Sequence, residues 1–267
     1  TRREISEKLD LIDIVFEIVD ARIPFSSKIK DIDDLIKDKP KIIIMSKKDL
    51  CDESKTNKWV KYYEEKGYKV LMFDLMKDNI NKLYTATDEI LNDLNEKRLE
   101  KGLKVRKYRA LVMGIPNVGK STLINLLAKR KSAPVGNMPG FTRAQKWVHC
   151  DGFDLLDTPG ILWPNLTENN SGIKLALIGC IKEDILPRED LVKYALNYLN
   201  ENYKEVLYNK YNIEYIDSND YLEKFAVSKG HLLKNNGTDT QRSASLILND
   251  LKNGRIGRIT IEKWEDK

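Results

Sequence analysis

Gly114-Ile115-Pro116-Asn117-Val118-Gly119-Lys120-Ser121 matches GxxxxGK[ST] without a gap. The run Tyr108 to Met113 before it reads as a buried strand, and Lys120 to Arg130 after it reads as a helix. Strand, glycine turn and helix in that order are the setting in which this motif cradles phosphate. Gly119 lets the backbone curl close to phosphate oxygens, so that its N–H groups form an anion nest. The helix N-terminus adds its dipole. Lys120 brings positive charge to the outer phosphates, and Ser121 offers a hydroxyl to Mg²⁺. The bland alternative, a chance glycine turn before a helix, is disfavoured by the flanking strand.

Asp157-Thr158-Pro159-Gly160 follows a second short apolar run, Phe153 to Leu156. Asp157 then lies at the carboxyl end of a strand, where it can hold Mg²⁺ through water, and Gly160 can give its N–H to a γ-phosphate. Between the two motifs runs Gly136-Asn137-Met138-Pro139-Gly140-Phe141-Thr142-Arg143. On its own this would be an ordinary loop. Between these motifs it reads as a switch, with Thr142 joining Mg²⁺ when a γ-phosphate is present.

Further out, Leu11–Asp20, Lys41–Met45 and Tyr68–Phe73 read as buried strands. Lys30–Lys37, Thr56–Lys66 and Asn79–Lys101 read as the intervening helices, and Lys146–Cys150 pairs with Phe153–Leu156 across Asp151-Gly152 as a hairpin. Alternating strands and helices argue an α/β fold with a parallel sheet covered on both faces. After about Pro164 the pattern becomes helical, at Ile173–Ile181, Arg188–Asn200, Asn219–Ser228 and Ala244–Lys252, with a short strand expected over Gly254–Ile261. The expected division is 1–167 as a nucleotide-binding domain and 168–267 as a smaller, mainly helical one.

The 267 residues are 41% apolar and 33% charged, enough apolar matter for a packed core. No run of about 18 apolar residues is present, so no membrane partner is expected. Three scattered cysteines read as idle thiols of a reducing cytoplasm, and two histidines make a zinc site improbable. The sequence opens without Met, so residues are expected ahead of Thr1. The 46 Lys and Arg against 41 Asp and Glu give a mild +5, unevenly spread. Lys97 to Arg109 holds seven bases and one acid, and Lys224 to Arg258 seven bases and two acids. Gly172 to Glu223 between them is net acidic. Such runs are usually solvated faces, and the sharper alternative is two patches that meet a phosphate backbone.

A guanine site needs a carboxylate that accepts from both N1–H and N2–H₂. Guanine-nucleotide proteins place it in [N/T]KxD at the end of a strand. Downstream of Gly160 only Ile181-Lys182-Glu183-Asp184 approximates this, and it lacks the polar first residue and falls at a predicted helix. Upstream, Ser46-Lys47-Lys48-Asp49 follows the strand Lys41–Met45, with Ser46 in place of Asn. The order is therefore base motif, phosphate loop, switch, Asp157-Thr158-Pro159-Gly160.

This order resembles the circularly permuted GTPases of ribosome assembly, and more closely the bacterial large-subunit assembly GTPases called YlqF or RbgA. The stretches that carry the likeness are Leu9–Asp13, Val19-Asp20-Ala21-Arg22-Ile23-Pro24, the phosphate loop, Asp157–Pro164 and Gly254–Arg258, nearly the whole chain. The resemblance implies a circularly permuted Ras-like P-loop GTPase domain that binds GTP or GDP with Mg²⁺. It implies a C-terminal domain that contacts ribosomal RNA in the large (50S) subunit, and we expect a monomer. Asp49 carries over as the reader of guanine and Lys47 as the residue under the base. Gly114, Asn117, Val118, Gly119, Lys120, Ser121 and Thr122 carry over as the phosphate cradle, and proteins similar in this loop use the Asn, here Asn117, to bind K⁺. Lys120, Thr142 and Gly160 are the expected catalytic groups, and Ser121, Thr142 and Asp157 the metal ligands.

Three departures stand out. Ser46 lacks the amide that would tie the base loop to the phosphate loop. The loop expected behind the base, around Phe73-Asp74-Leu75, lacks the usual Ser-Ala-Lys. The Gly-His segment expected before the first strand is not in this sequence. Ile161 stands where Ras-like proteins place a Gln that orients water, so hydrolysis is expected to be slow unless a partner supplies the missing group. Three alternatives stay open: a GTP-dependent regulatory switch that does not hydrolyse, a small-subunit assembly GTPase, and an ATPase, the last disfavoured by Asp49.

Overall fold

Ile14–Asp20 (β1) is buried along its whole length, as expected of a β-branched run without polar alternation. It pairs in parallel with Lys41–Ser46 (β2) on one side and with Tyr108–Met113 (β4) on the other. Lys69–Met72 (β3) extends the sheet beyond β2, and Phe153–Asp157 (β6) extends it beyond β4. Lys146–His149 (β5) closes that edge antiparallel to β6, through a turn in which Gly152 adopts φ +82°. The order is β3-β2-β1-β4-β6-β5, so the strand feeding the phosphate loop is central although it is fourth in the chain. This computed structural model describes residues 2–128, 146–158, 170–234 and 237–266.

The helices of the sheet region are Arg2–Lys8 (α1), Ile32–Ile36 (α2), Glu53–Glu65 (α3), Asn81–Glu100 (α4) and Lys120–Leu127 (α5). α3 begins three residues before its expected start because Asp52 caps it, accepting from Ser54 N–H and Lys55 N–H. β1 starts later than expected because Leu9–Leu11 form a single turn closed by Ile12 N–H on Leu9 O at 3.0 Å.

The chain divides into two compact units, Thr1–Pro164 with Glu262–Lys267, and Asn165–Ile261. The second contains Ser171–Leu177 (α6), Arg188–Asn202 (α7), Val206–Tyr211 (α8), Ser218–Lys229 (α9) and Thr240–Lys252 (α10). α10 packs against α6, α7 and α9, and Leu196, Leu199, Tyr221, Phe225, Ile247 and Leu248 are buried there. Asp217 and Asp239 cap α9 and α10, and Gly230 ends α9 at φ +64°. α8 escaped the sequence reading: its six residues carry less than two turns of pattern.

Two sequence expectations fail at the C-terminus. No strand forms over 254–261. Side chains take up the backbone there: Thr260 N–H donates to the Tyr203 hydroxyl at 3.0 Å, and Thr260 O accepts from the Tyr198 hydroxyl at 2.8 Å. The last six residues, expected in the second domain, belong to the first unit. Glu262, buried, accepts from Phe25 N–H at 2.6 Å and Ser26 N–H at 2.7 Å, and Trp264 meets Trp59 and Tyr62 edge to face. Two charge-assisted bonds and two aromatic contacts fix the tail where the sequence shows no periodicity.

Candidate nucleotide site

Three loops leave the carboxyl ends of β3, β2 and β4, the edge at which open parallel sheets bind ligands, with the end of β1 between the last two. The loop after β4 is the phosphate motif. Gly114 is required by close approach, since a Cβ there would lie 2.6 Å from the carbonyl oxygen of Ile18 in β1. Asn117 and Gly119 are both left-handed, at φ +61° and +105°, so the loop coils tightly before α5. Ile115 and Val118 are buried, anchoring the loop to the sheet, while Ser121 and Thr122 are half-buried in the first turn of α5. Lys120 Nζ bridges back to the carbonyls of Gly114 at 2.9 Å and Ile115 at 2.8 Å. Its charge is thus held over the loop.

The loop after β2 carries Ser46, Lys47 and Asp49. Asp49 is exposed on a single turn over Lys48–Leu50. Ser46 overturns the expectation drawn from its missing amide. Its hydroxyl donates to Val118 O at 2.5 Å, so the base loop is tied to the phosphate loop by the shorter side chain. The loop after β3 joins the same knot. Lys48 N–H donates to Phe73 O at 3.1 Å, and a Cβ on Gly119 would lie 3.2 Å from Leu75 Cδ1 and 3.6 Å from Ser46 Cβ. Ser46, Leu75 and Gly119, far apart in sequence, therefore meet at one point. Asp74 shapes its own loop by accepting from Met76 N–H at 2.9 Å.

On the other side of β4, Asp157 ends β6 in register with Val112 and is buried. The Thr158 hydroxyl ties the start of its loop to Val112 O at 2.8 Å. A hydroxyl at Ser121 and a carboxylate at Asp157, both hard oxygen donors, suit Mg²⁺. Thr142, Gly160 and Ile161 lie outside the described residues.

Sequence reasoning gave no role to Asp20 and Arg22, which stand at the end of β1 between the β2 and β4 loops. Asp20 is fully buried. Its Oδ1 accepts from Arg22 N–H at 3.0 Å and Nε at 2.9 Å; its Oδ2 accepts from Arg22 Nη2 at 2.9 Å and lies 2.9 Å from Lys47 Nζ. Burial alone would raise the Asp20 pKa, but the charges and hydrogen bonds of Arg22 and Lys47 outweigh it and hold it well below the carboxylate range. The signal was present in the sequence: an acid closing a mostly apolar strand, with a base two residues later.

The comparisons with known proteins agree with this geometry. A family model described as 50S ribosome-binding GTPase matches residues 109–210, from the strand of the phosphate loop onward. The chain is 40% identical to ribosome biogenesis GTPase A of Bacillus licheniformis, over 99% of this chain and 95% of that one. The chain belongs to the ribosome biogenesis GTPase A family. It is 31% identical to the family member of Thermotoga maritima, over 99% of this chain and 91% of the relative. Among solved structures, GDP-bound TM YlqF matches with a TM-score of 0.68 at 27% identity, covering 98% of this chain and all of that one. GNP-bound YlqF from T. maritima matches at 0.66 and 28% identity, covering 100% and 99%. Membership of the YlqF/RbgA family makes the chain a P-loop GTPase of ribosome biogenesis, with guanine nucleotide as its ligand. No helix among the described residues is long and apolar enough to cross a membrane.

Proposed function

We propose that the chain hydrolyses GTP as an assembly factor for the large ribosomal subunit, engaging pre-ribosomal RNA with GTP bound and leaving after hydrolysis. The observation that carries this reading is the meeting of the base loop, the backing loop and the phosphate loop at Ser46, Leu75 and Gly119. Asp49 would accept from the guanine edge, with Lys47 beneath the base. The N–H groups of Asn117 to Thr122 would hold the phosphates, and Lys120 would leave the loop carbonyls for the outer ones. Ser121, Thr142 and Asp157 would hold Mg²⁺, which when bound neutralises charge on the phosphates. Gly160 would report the γ-phosphate, and Asn117 would hold K⁺ beside it. The helical unit, up to Ile261, would supply the RNA-facing surface, on a monomer in the cytoplasm. The Ile161 side chain can neither donate nor accept, so the subunit is expected to raise a slow basal rate.

Co-sedimentation with purified large and small subunits, with GDP and with a non-hydrolysable GTP analogue, tests this. Binding to the large subunit with the analogue only, together with subunit-stimulated phosphate release, is expected. Equal affinity in both nucleotide states, or a purified-protein rate already equal to the stimulated one, would sink it. Equal turnover in KCl and NaCl would remove the K⁺ role alone.

A further inference from the structure

Lys47 is an unusual residue for the place it occupies. Its backbone is left-handed, at φ +56° and ψ +38°, a region that L side chains with a long stem rarely adopt. Its ammonium lies 2.9 Å from Oδ2 of the fully buried Asp20, and the side chain as a whole is 26% exposed. The head is engaged by an ion pair, on a side chain that is mostly covered. A lysine has much rotamer freedom to lose, and ordering it before a ligand arrives removes that cost from binding.

Asp20 is itself held on several sides. Arg22 grips both its oxygens. Its N–H donates to the Ser27 hydroxyl at 2.9 Å, and it stands in register with Ser46, whose carbonyl accepts from Ala21 N–H at 2.9 Å. The Thr56 hydroxyl donates to Ala21 O at 2.9 Å, and Glu262 holds the N–H groups of Phe25 and Ser26. The carboxylate is therefore a fixed post at the foot of the base loop. We propose that Asp20, clamped by Arg22, is the positioning residue that pins the Lys47 ammonium so that its methylene stem forms the floor of the guanine site. Apolar methylenes suit the flat face of a purine once the charged head is engaged elsewhere. Asp20 touches no reacting atom; it acts through Lys47. The inference rests on the reading of Lys47 as the residue under the base.

The test compares a ligand with a base and one without. For the wild-type full chain, GDP binding far tighter than ADP establishes the base site; absence of that preference would overturn the base-site reading itself, whatever Asp20 does. Asp20→Asn is expected to weaken GDP binding about tenfold or more, since a hydrogen bond to a charged group is lost, while affinity for inorganic triphosphate with Mg²⁺ stays within about twofold. Lys47→Met should do the same, and the double variant should be no worse than the single ones. Wild-type GDP affinity in Asp20→Asn, equal losses for GDP and triphosphate, or additive losses would overturn the proposal. If Asp20→Asn does not fold, reductive methylation of the nucleotide-free wild-type chain decides. Lys47 and Lys48 have similar side-chain exposure, 26% and 33%. Several-fold slower modification of Lys47 is expected, and equal rates would overturn the clamp.

Discussion

Glu17 and Asp20 lie on the same strand, and both are fully buried among cations, yet their partners come from different places. Glu17 stands 3.0 Å from Lys41 Nζ and 3.6 Å from Lys28 Nζ, and accepts from Ile29 N–H at 3.0 Å. Asp33 completes that cluster, 2.6 Å from Lys41 Nζ and accepting from the Tyr68 hydroxyl at 2.8 Å. None of these groups belongs to the three loops of the nucleotide site. Asp20 instead gathers Arg22 from the loop beside them and Lys47 from the base loop itself. A buried carboxylate is a structural feature by default. The element that supplies its cations decides whether it also serves the site.

The comparison breaks most visibly through stability. Glu17→Ala leaves Lys28 and Lys41 with Asp33 as their remaining carboxylate in this cluster, and Ile29 N–H without its acceptor. A loss of about 2–4 kcal/mol is expected, read from the denaturant midpoint. GDP affinity of the folded protein should stay at the wild-type level. A weaker affinity would erase the distinction between the two clusters.

Acid sharpens it from the other side. The Asp20 carboxyl has a lower pKa in the folded chain than in the unfolded one. Its contribution is complete above the unfolded value of about 4 and fades as pH falls toward the folded value. Wild-type stability should therefore decline more steeply than that of Asp20→Asn below about pH 4, as urea midpoints across that range would reveal. Parallel curves would mean that the charge on Asp20 is not stabilised by its partners.

What the sequence made legible follows from how local each feature is. The phosphate motif, its strand and its helix were readable because the spacing within eight residues encodes them, and the permuted order was readable because base motif and phosphate motif are both short. The Ser46 tie is not legible in the sequence: serine is shorter than asparagine, and only the fold brings Val118 O within reach of its hydroxyl. Asp20 and Arg22 show no role in the sequence because their partner Lys47 is remote and reached only through strand pairing. Glu262 and Trp264 were unreadable for the same reason, since their partners are more than two hundred residues away.

A smaller effect is expected at Ser46. Ser46→Ala removes the donor to Val118 O and leaves that carbonyl short of one bond, worth about 1 kcal/mol. Because the bond joins the two loops that would hold opposite ends of the nucleotide, a fluorescent GDP analogue should dissociate about three- to tenfold faster. An unchanged rate would place the knot of loops outside nucleotide retention.

The finest probe is Cys51, which closes the base loop. It is fully buried in a cluster with Val19, Ala21, Met45 and Trp59, and its Sγ lies 3.4 Å from Lys48 O. Burial pushes its thiol up to about 11, so at pH 8 only about one molecule in a thousand carries the reactive thiolate. Labelling by an alkylating reagent must then wait for local opening of residues 47–51, and its rate reports that opening rather than global unfolding if it exceeds the unfolding rate. GDP should slow the labelling, because a nucleotide that spans the base loop and the phosphate loop holds the former shut. Ser46→Ala should speed it by about two- to threefold. A labelling rate indifferent to GDP would mean that the loop opens independently of the nucleotide, and the contrast between a structural carboxylate at Glu17 and a site-directed one at Asp20 would lose its functional half.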